Sequence, residues 1–221
     1  LHARDSHATI YYTTDGSEPT LSSSHVESGS WVVSVNSENP AYEIKARVCD
    51  SQSNTLGSVF SGKFGYIASP DAYGIDAVSG GRTRVGSRTL TDDTYDVLYD
   101  QSGRLKIAPI TLGSLFDGAA IRYYYTVGLN SGLDPPVSNG AVAATAHEYV
   151  PGTTQLTLAD LYALSGSTDA TYSSGNVYYV KTAAVVEYAG STYTSSVDTR
   201  YIYAMPALPV FSTDANGRMI I

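Results

Sequence analysis

Apolar and polar residues alternate along most of this chain with the period of two that belongs to half-buried strands. Residues 8–14 read Ala-Thr-Ile-Tyr-Tyr-Thr-Thr, and residues 42–49 read Tyr-Glu-Ile-Lys-Ala-Arg-Val-Cys. Residues 120–127 read Ala-Ile-Arg-Tyr-Tyr-Tyr-Thr-Val, and residues 176–188 read Asn-Val-Tyr-Tyr-Val-Lys-Thr-Ala-Ala-Val-Val-Glu-Tyr. These β-branched and aromatic runs are bounded by turn residues, as strands are. In the second run Ile44, Ala46 and Val48 share one face. Lys45, Arg47 and Cys49 share the other, which is expected to be the wet one. Turn signals recur at Asp15-Gly16, Gly80-Gly81, Ser102-Gly103, Asn139-Gly140, Ser174-Gly175 and Asn216-Gly217. Helix signals are scarce. Thr157-Leu158-Ala159-Asp160 has the form of a capping box opening a short turn through Leu161 and Leu164.

The pattern therefore predicts an all-β chain made of small sandwich modules. Thr111-Leu-Gly-Ser-Leu-Phe116 is similar to Thr157-Leu-Ala-Asp-Leu-Tyr162, and each precedes a β run, which is internal repetition of a weak kind. The preferred division is residues 1–66, 67–146 and 147–205, then a tail of residues 206–221. A two-module division, with 118–205 matching 8–66, stays open. Modules this small have little core each and are expected to lean on their neighbours.

Composition narrows the function classes. The 221 residues hold 19 tyrosines against 4 phenylalanines and 1 tryptophan, which suits thin sheets whose rings are buried while their hydroxyls find partners. The net charge of −8 disfavours phosphate backbones, so no nucleic-acid partner is expected. No apolar run approaches the roughly 18 residues needed to span a bilayer. Cys49 is the single cysteine, which excludes a disulfide framework and a cysteine-based zinc site.

The segment Thr9-Ile-Tyr-Tyr-Thr-Thr-Asp-Gly-Ser-Glu-Pro-Thr20 is the most specific signal. With Ser22–Ser24, Ile44-Lys45-Ala46-Arg47-Val48 and Ser58-Val59-Phe60 it resembles the chitobiase/β-hexosaminidase C-terminal-type repeat, also called the fibronectin-III-associated repeat. The resemblance covers about residues 8–66. Beyond it, Tyr95-Asp-Val-Leu-Tyr-Asp-Gln-Ser-Gly103 is only a loose echo without the Pro-Thr. The resemblance implies tandem immunoglobulin-like sandwiches in extracellular multidomain proteins, beside carbohydrate-active enzymes or in surface arrays. It carries no catalytic residues to transfer. Physically, Asp15-Gly16 suits a tight turn and Pro19 stops strand pairing, so the motif is architectural. Repeats of this kind begin with strands that precede Ile10, and the first module is expected to lack them. The tail resembles such an opening: Val210-Phe211 after Pro206 and Pro209, a turn at Asn216-Gly217, then apolar Met219, Ile220 and Ile221. Donation of that tail to the next copy would satisfy a sheet edge and a free strand together, giving a ring or a filament. The alternatives are a longer tandem array and a tail folded on its own module.

Searches for chemistry give little. His2, His7, His25 and His147 lack a metal-ligand spacing. No nucleophile elbow and no paired base for Cys49 is present. Asp92, Asp93, Asp96 and Asp100 read as a solvated turn ahead of a calcium site. No catalytic, cofactor-binding or metal residues are therefore assigned, no cofactor is expected, and the chain is not expected to be an enzyme. Arg82, Arg84 and Arg88 fall on one strand face, either solvated beside nearby aspartates or set against an acidic neighbour. Cys49 is either an accessible thiol among cations, able to bridge two chains, or a small apolar residue under a loop. The clustered tyrosines are read as interface residues. Two functions follow. One is a structural subunit of an extracellular filament, appendage or array, whose partners are other copies or adjacent modules. The other is an accessory carbohydrate-binding module of a larger secreted enzyme.

Overall fold

The computed structural model describes residues 2–3, 8–27, 29–38, 40–50, 52–76, 84–85, 95–99, 103–166, 177–205, 212–213 and 219–220. They are mostly strand, arranged in several sheets, with one α-helix among the described residues. The chain divides into two units. Unit 1 is Leu1–Ala68 with Thr111–Ala119, and unit 2 is Ser69–Ile110 with Ala120–Ile221.

Unit 1 contains β1 (His2–Ala3), β2 (Ala8–Thr13), β3 (Ser24–Val26), β4 (Gly29–Ser30), β5 (Ala41–Asp50) and β6 (Thr55–Gly65). Its main sheet is antiparallel in the order β3-β2-β5-β6, while β1 pairs with β4. Ile10 stands opposite Val48, Tyr12 opposite Ala46, and Ala46 opposite Phe60, so these share one face. Ile10, Ile44 and Ala46 are buried there, and Trp31 stacks on Tyr12 with ring centroids 4.1 Å apart. The segment 111–119 returns to this unit as a single 3-10 turn at Ser114–Phe116. Its start, Gly113, offers no side-chain cap, so the resemblance to residues 157–162 does not extend to a helix. Phe116 lies over Gly65, where a Cβ would collide with its ring.

Unit 2 contains β7 (Ala72–Asp76), β8 (Arg84–Val85), β9 (Tyr95–Tyr99), β10 (Gly103–Ile107), β11 (Ala120–Gly128), β12 (Val137–Ser138), β13 (Ala141–Val142) and β14 (His147–Tyr149). Then follow α1 (Leu158–Leu164), β15 (Val177–Tyr188), β16 (Ser191–Thr194), β17 (Asp198–Met205), β18 (Ser212–Thr213) and β19 (Met219–Ile220). Seven strands form one sheet, β14-β11-β15-β17-β9-β8 with β16 also on β15; β7 pairs with β10 separately. The boundary expected at 146/147 does not hold in this structure. β11, from before it, pairs along its whole length with β15, from after it.

That pairing explains the core. Tyr123 stands opposite Ala184 and Tyr124 opposite Ala183, so each large ring meets a small residue. Odd residues Tyr123, Tyr125 and Val127 join Leu105, Leu161, Tyr178, Val180 and Ile202 in the main core. Tyr124 joins Ala183, Val185 and Val137 on the other face. β15 is thus covered on both sides, which accounts for its nearly continuous apolar run. Thr157 opens α1 with the capping box anticipated: Asp160 N–H donates to its Oγ1 at 3.2 Å, and Asp160 Oδ2 accepts from its N–H at 2.7 Å. Leu158 and Leu161 of that helix are buried in the same core. No helix among the described residues is long and apolar enough to cross a membrane.

Candidate assembly surface

The exit of β2 is fixed by side chains of its own turn. Gly16 has φ +79°, a conformation that only glycine adopts without strain, and its N–H donates to the carbonyl of Glu43 at 2.9 Å. Ser17 donates to Asp15 Oδ1 from its hydroxyl at 2.6 Å and from its N–H at 3.0 Å. Those bonds, the hydroxyl's first, hold the Asp15 carboxyl below its ordinary pKa. Glu18 then reaches Lys45 at 2.8 Å and Arg47 at 3.2 Å. The hydrogen bond from Lys45 leads in lowering the Glu18 pKa. Pro19 is fully buried. Asp15, Gly16, Ser17 and Glu18 thus close the turn or tie it to β5.

The opposite side of the sheet ends differently. β6 is eleven residues long, and among the described residues no strand lies beyond it. Its one charged residue is Lys63, whose ammonium donates to the carbonyl of Leu115 at 3.5 Å. Phe60 and Phe64 are 55% and 43% exposed, and Val48 on the same face is 52% exposed. The apolar face of the sheet therefore continues to its outer strand uncovered. The bulge at Gly57-Ser58 protects the start of this strand, but from Val59 to Gly65 it carries exposed apolar side chains and one charge, which leaves that stretch open to pairing with another chain.

The backbone geometry of that edge is determined. Tyr66 N–H donates to the carbonyl of Pro40 at 2.8 Å, in register with the β5–β6 ladder. Successive residues direct their amide groups to opposite sides, so Phe60, Gly62 and Phe64 bond β5. Val59, Ser61, Lys63 and Gly65 direct theirs outward. Gly16, bonded to Glu43 on the far side of β5, agrees with this parity.

The residues singled out in the sequence are not brought together. Cys49 is buried, 2% exposed, with its thiol 3.6 Å from the carbonyl of Asp50, so the accessible-thiol expectation is corrected. The cause is a bulge: Arg47 pairs with Val59 but Cys49 pairs with Leu56, so Gly57 and Ser58 oppose the single Val48. The simple alternation of wet and dry positions ends there. Arg84 lies in β8, whose register sets it opposite Asp96 of β9; Arg82 and Arg88 lie outside the described residues, as do Asp92, Asp93 and Asp100. Met219 and Ile220 form β19, which pairs with β18 of the same tail and not with a strand of either main sheet. Val210, Phe211, Ile221 and the Asn216-Gly217 turn lie outside the described residues. Tyr123, Tyr124, Tyr125 and Tyr178, expected at interfaces, are instead core residues of unit 2; the first three stand opposite the small Ala184, Ala183 and Thr182, which make room for rings, and Tyr178 stands opposite Ile202.

Sequence reasoning missed the β6 edge. Its apolar residues were legible, but strand order is not written locally. A cleft of about 220 Å³ in unit 2 is lined by Arg104, Lys106, Thr154 and Gln155 beside Tyr149. Tyr149 is buried, so the cleft presents no exposed ring of its own. Among the described residues no group of three or more His, Cys, Asp or Glu is placed to hold a metal ion.

The Asp15-Gly16 turn bonded to β5 and the strand order around it describe one recognisable unit. Residues 1–61 match the family model of the chitobiase/beta-hexosaminidase C-terminal domain. The matched span takes in β1 to β5 and the first seven residues of β6. The matched span thus ends inside the outer strand, while the ladder with β5 runs on to Gly65. No curated protein and no solved structure matches the chain.

Proposed function

We propose that the chain is a non-catalytic structural subunit of an extracellular filament, appendage or array, built of immunoglobulin-like sandwich modules and assembled through their sheet edges. The observation that carries this reading is the eleven-residue outer strand β6 with Phe60 and Phe64 exposed on it. Such an edge is a hazard on a monomer and an asset on a subunit. The chitobiase-type match over residues 1–61 supports an extracellular setting, since that domain type occurs in secreted proteins.

Accessory carbohydrate binding is the weaker reading. A sugar platform needs exposed rings beside a polar groove. Here the exposed rings include Phe60 and Phe64 of unit 1 and Tyr193 of unit 2, and none of these three lines the polar cleft with Arg104 and Gln155. The test is sedimentation and negative-stain imaging of the full chain over a range of concentration, with glycan binding and glycan turnover measured alongside. Concentration-dependent, regular assembly without turnover is expected. A chain that stays monomeric throughout and binds or cleaves a glycan would overturn the proposal.

A further inference from the structure

We infer that β6 is an isologous contact: it pairs antiparallel with β6 of a second copy across a two-fold axis, with Ser61 opposite Lys63 of the second copy. This rests on the assembly reading above and names its partner and register.

The choice of partner follows from strand lengths. Every other outermost strand among the described residues has at most five residues: β3, β7, β8, β10, β14 and β16. In the register argued below, β6 of a second copy covers seven of its residues, Val59–Gly65, more than any of these strands can. One surface meeting its own copy gives two-fold symmetry, and antiparallel pairing is what a two-fold between identical edges produces.

The register follows from parity, charge and shape. Outward-facing residues must pair with outward-facing residues, so only odd positions exchange hydrogen bonds. Setting Lys63 opposite Lys63 of the second copy opposes like charges, which destabilises a sheet. Setting Ser61 opposite itself leaves Phe64 against Ser58, within the bulge. The register between these two, Ser61 against Lys63 and Val59 against Gly65, avoids both. It also places Phe60 opposite Phe64 of the second copy and Gly62 opposite Gly62. These are non-hydrogen-bonded pairs, where side chains approach most closely, and aromatic pairs there are favourable. Gly62 is what admits four rings. A Cβ on it would stand 3.0 Å from the Phe64 ring and 3.5 Å from the Phe60 ring. Both rings already lean over the glycine, so two glycines face to face leave room for four rings to interleave. The two four-stranded sheets then become one sheet of eight strands on a common apolar face.

The experiment uses the full chain. Sedimentation equilibrium compares it with Ser61→Pro, which removes an outward N–H that bonds nothing within β5–β6, and with Phe60→Lys. Both are expected to weaken the dimer at least tenfold while circular dichroism and thermal unfolding stay close to the parent. A register test follows in a Cys49→Ser background. A mixture of Ser61→Cys and Lys63→Cys chains is expected to cross-link on mild oxidation, because these positions face each other and disulfides need Cα atoms about 4.4–6.8 Å apart. Val59→Cys, which faces Gly65 of the second copy and not itself, is expected to cross-link far less. If the chain assembles but Ser61→Pro and Phe60→Lys assemble as well as the parent, the β6 contact is wrong and the structural reading survives. Cross-linking of Val59→Cys as strong as that of the Ser61→Cys and Lys63→Cys mixture overturns the register. A chain that is monomeric at every concentration overturns the inference and the structural reading together.

Discussion

Replacing Gly16 by alanine measures how much the chitobiase-type turn contributes to unit 1. Gly16 sits at φ +79° at the end of β2, with its N–H on the carbonyl of Glu43. An alanine there adopts a left-handed conformation that costs about 1–2 kcal/mol. Its Cβ would also lie 2.9 Å from Glu43 Cδ and 3.0 Å from Glu43 Oε2. That obstacle is the far end of a flexible carboxylate, which can swing away, so the conformational term dominates. Gly118, also in unit 1, has φ +84° with no atom within 4 Å of a built Cβ, and isolates the conformational term alone. Both variants should therefore lose stability, Gly16→Ala by at least as much as Gly118→Ala. For a unit of this size each 1 kcal/mol shifts Tm by about 4–8 °C. Differential scanning calorimetry of the full chain resolves the answer if the two units melt separately, and hydrogen exchange at β2 and β5 resolves it if they do not. A Gly16→Ala protein as stable as the parent would show that the positive-φ turn is not what fixes the exit of β2. Asp15→Asn with Ser17→Ala should then matter more than the glycine, and the reasoning would need replacing.

Three further outcomes are expected. Leu105→Ala, at a fully buried position of the unit 2 core, should cost about 2–5 kcal/mol by denaturant titration, and a loss below about 1 kcal/mol would mean the site collapses around the cavity. Burial raises the pKa of Tyr123 and Tyr125 above the ordinary 10.0, so the fold prefers their neutral form. That contribution is complete below pH 10 and is lost as pH rises through the folded values, so stability measured in steps of alkaline pH should fall there, and less steeply in Tyr125→Phe. Cys49 should resist a thiol reagent in native protein and react after denaturation; rapid native labelling would contradict its placement beneath the bulge.

The sequence made the strands legible wherever one face is buried and the other wet. β2, β5, β11 and β15 fall on the alternating runs, and the Thr157–Asp160 capping box opens α1 as its spacing requires. Asn139-Gly140, both at positive φ, joins β12 to β13 as its residues predict. Ala189-Gly190 does the same between β15 and β16, but an alanine at φ +50° has no sequence signature. The wet face assigned to Cys49 failed because a bulge is set by two strands, and the extra residue lies in β6 and not in the run being read. The three-module division failed because pairing of β11 with β15 joins segments some sixty residues apart, and the parallel pairing of β17 with β9 joins segments farther still. The exposed edge of β6 has no local signature for the same reason: whether Phe60 and Phe64 lie in a core or at an edge depends on the order of strands.

The return of residues 111–119 to unit 1 has a consequence for how the protein is made. A ribosome delivers the chain from its N-terminal end, and domains generally fold as they emerge. The six strands described in unit 1 are complete once Gly65 is out, yet the ring that covers Gly65 belongs to Phe116, about fifty residues later. During that interval β6 is made but unfinished, and β7 to β10 of the other unit emerge in between. Two nascent chains on one message would expose unfinished β6 edges within reach of each other. If β6 pairs with its own copy as proposed, spacing between ribosomes would bear on whether like edges meet before or after Phe116 is in place.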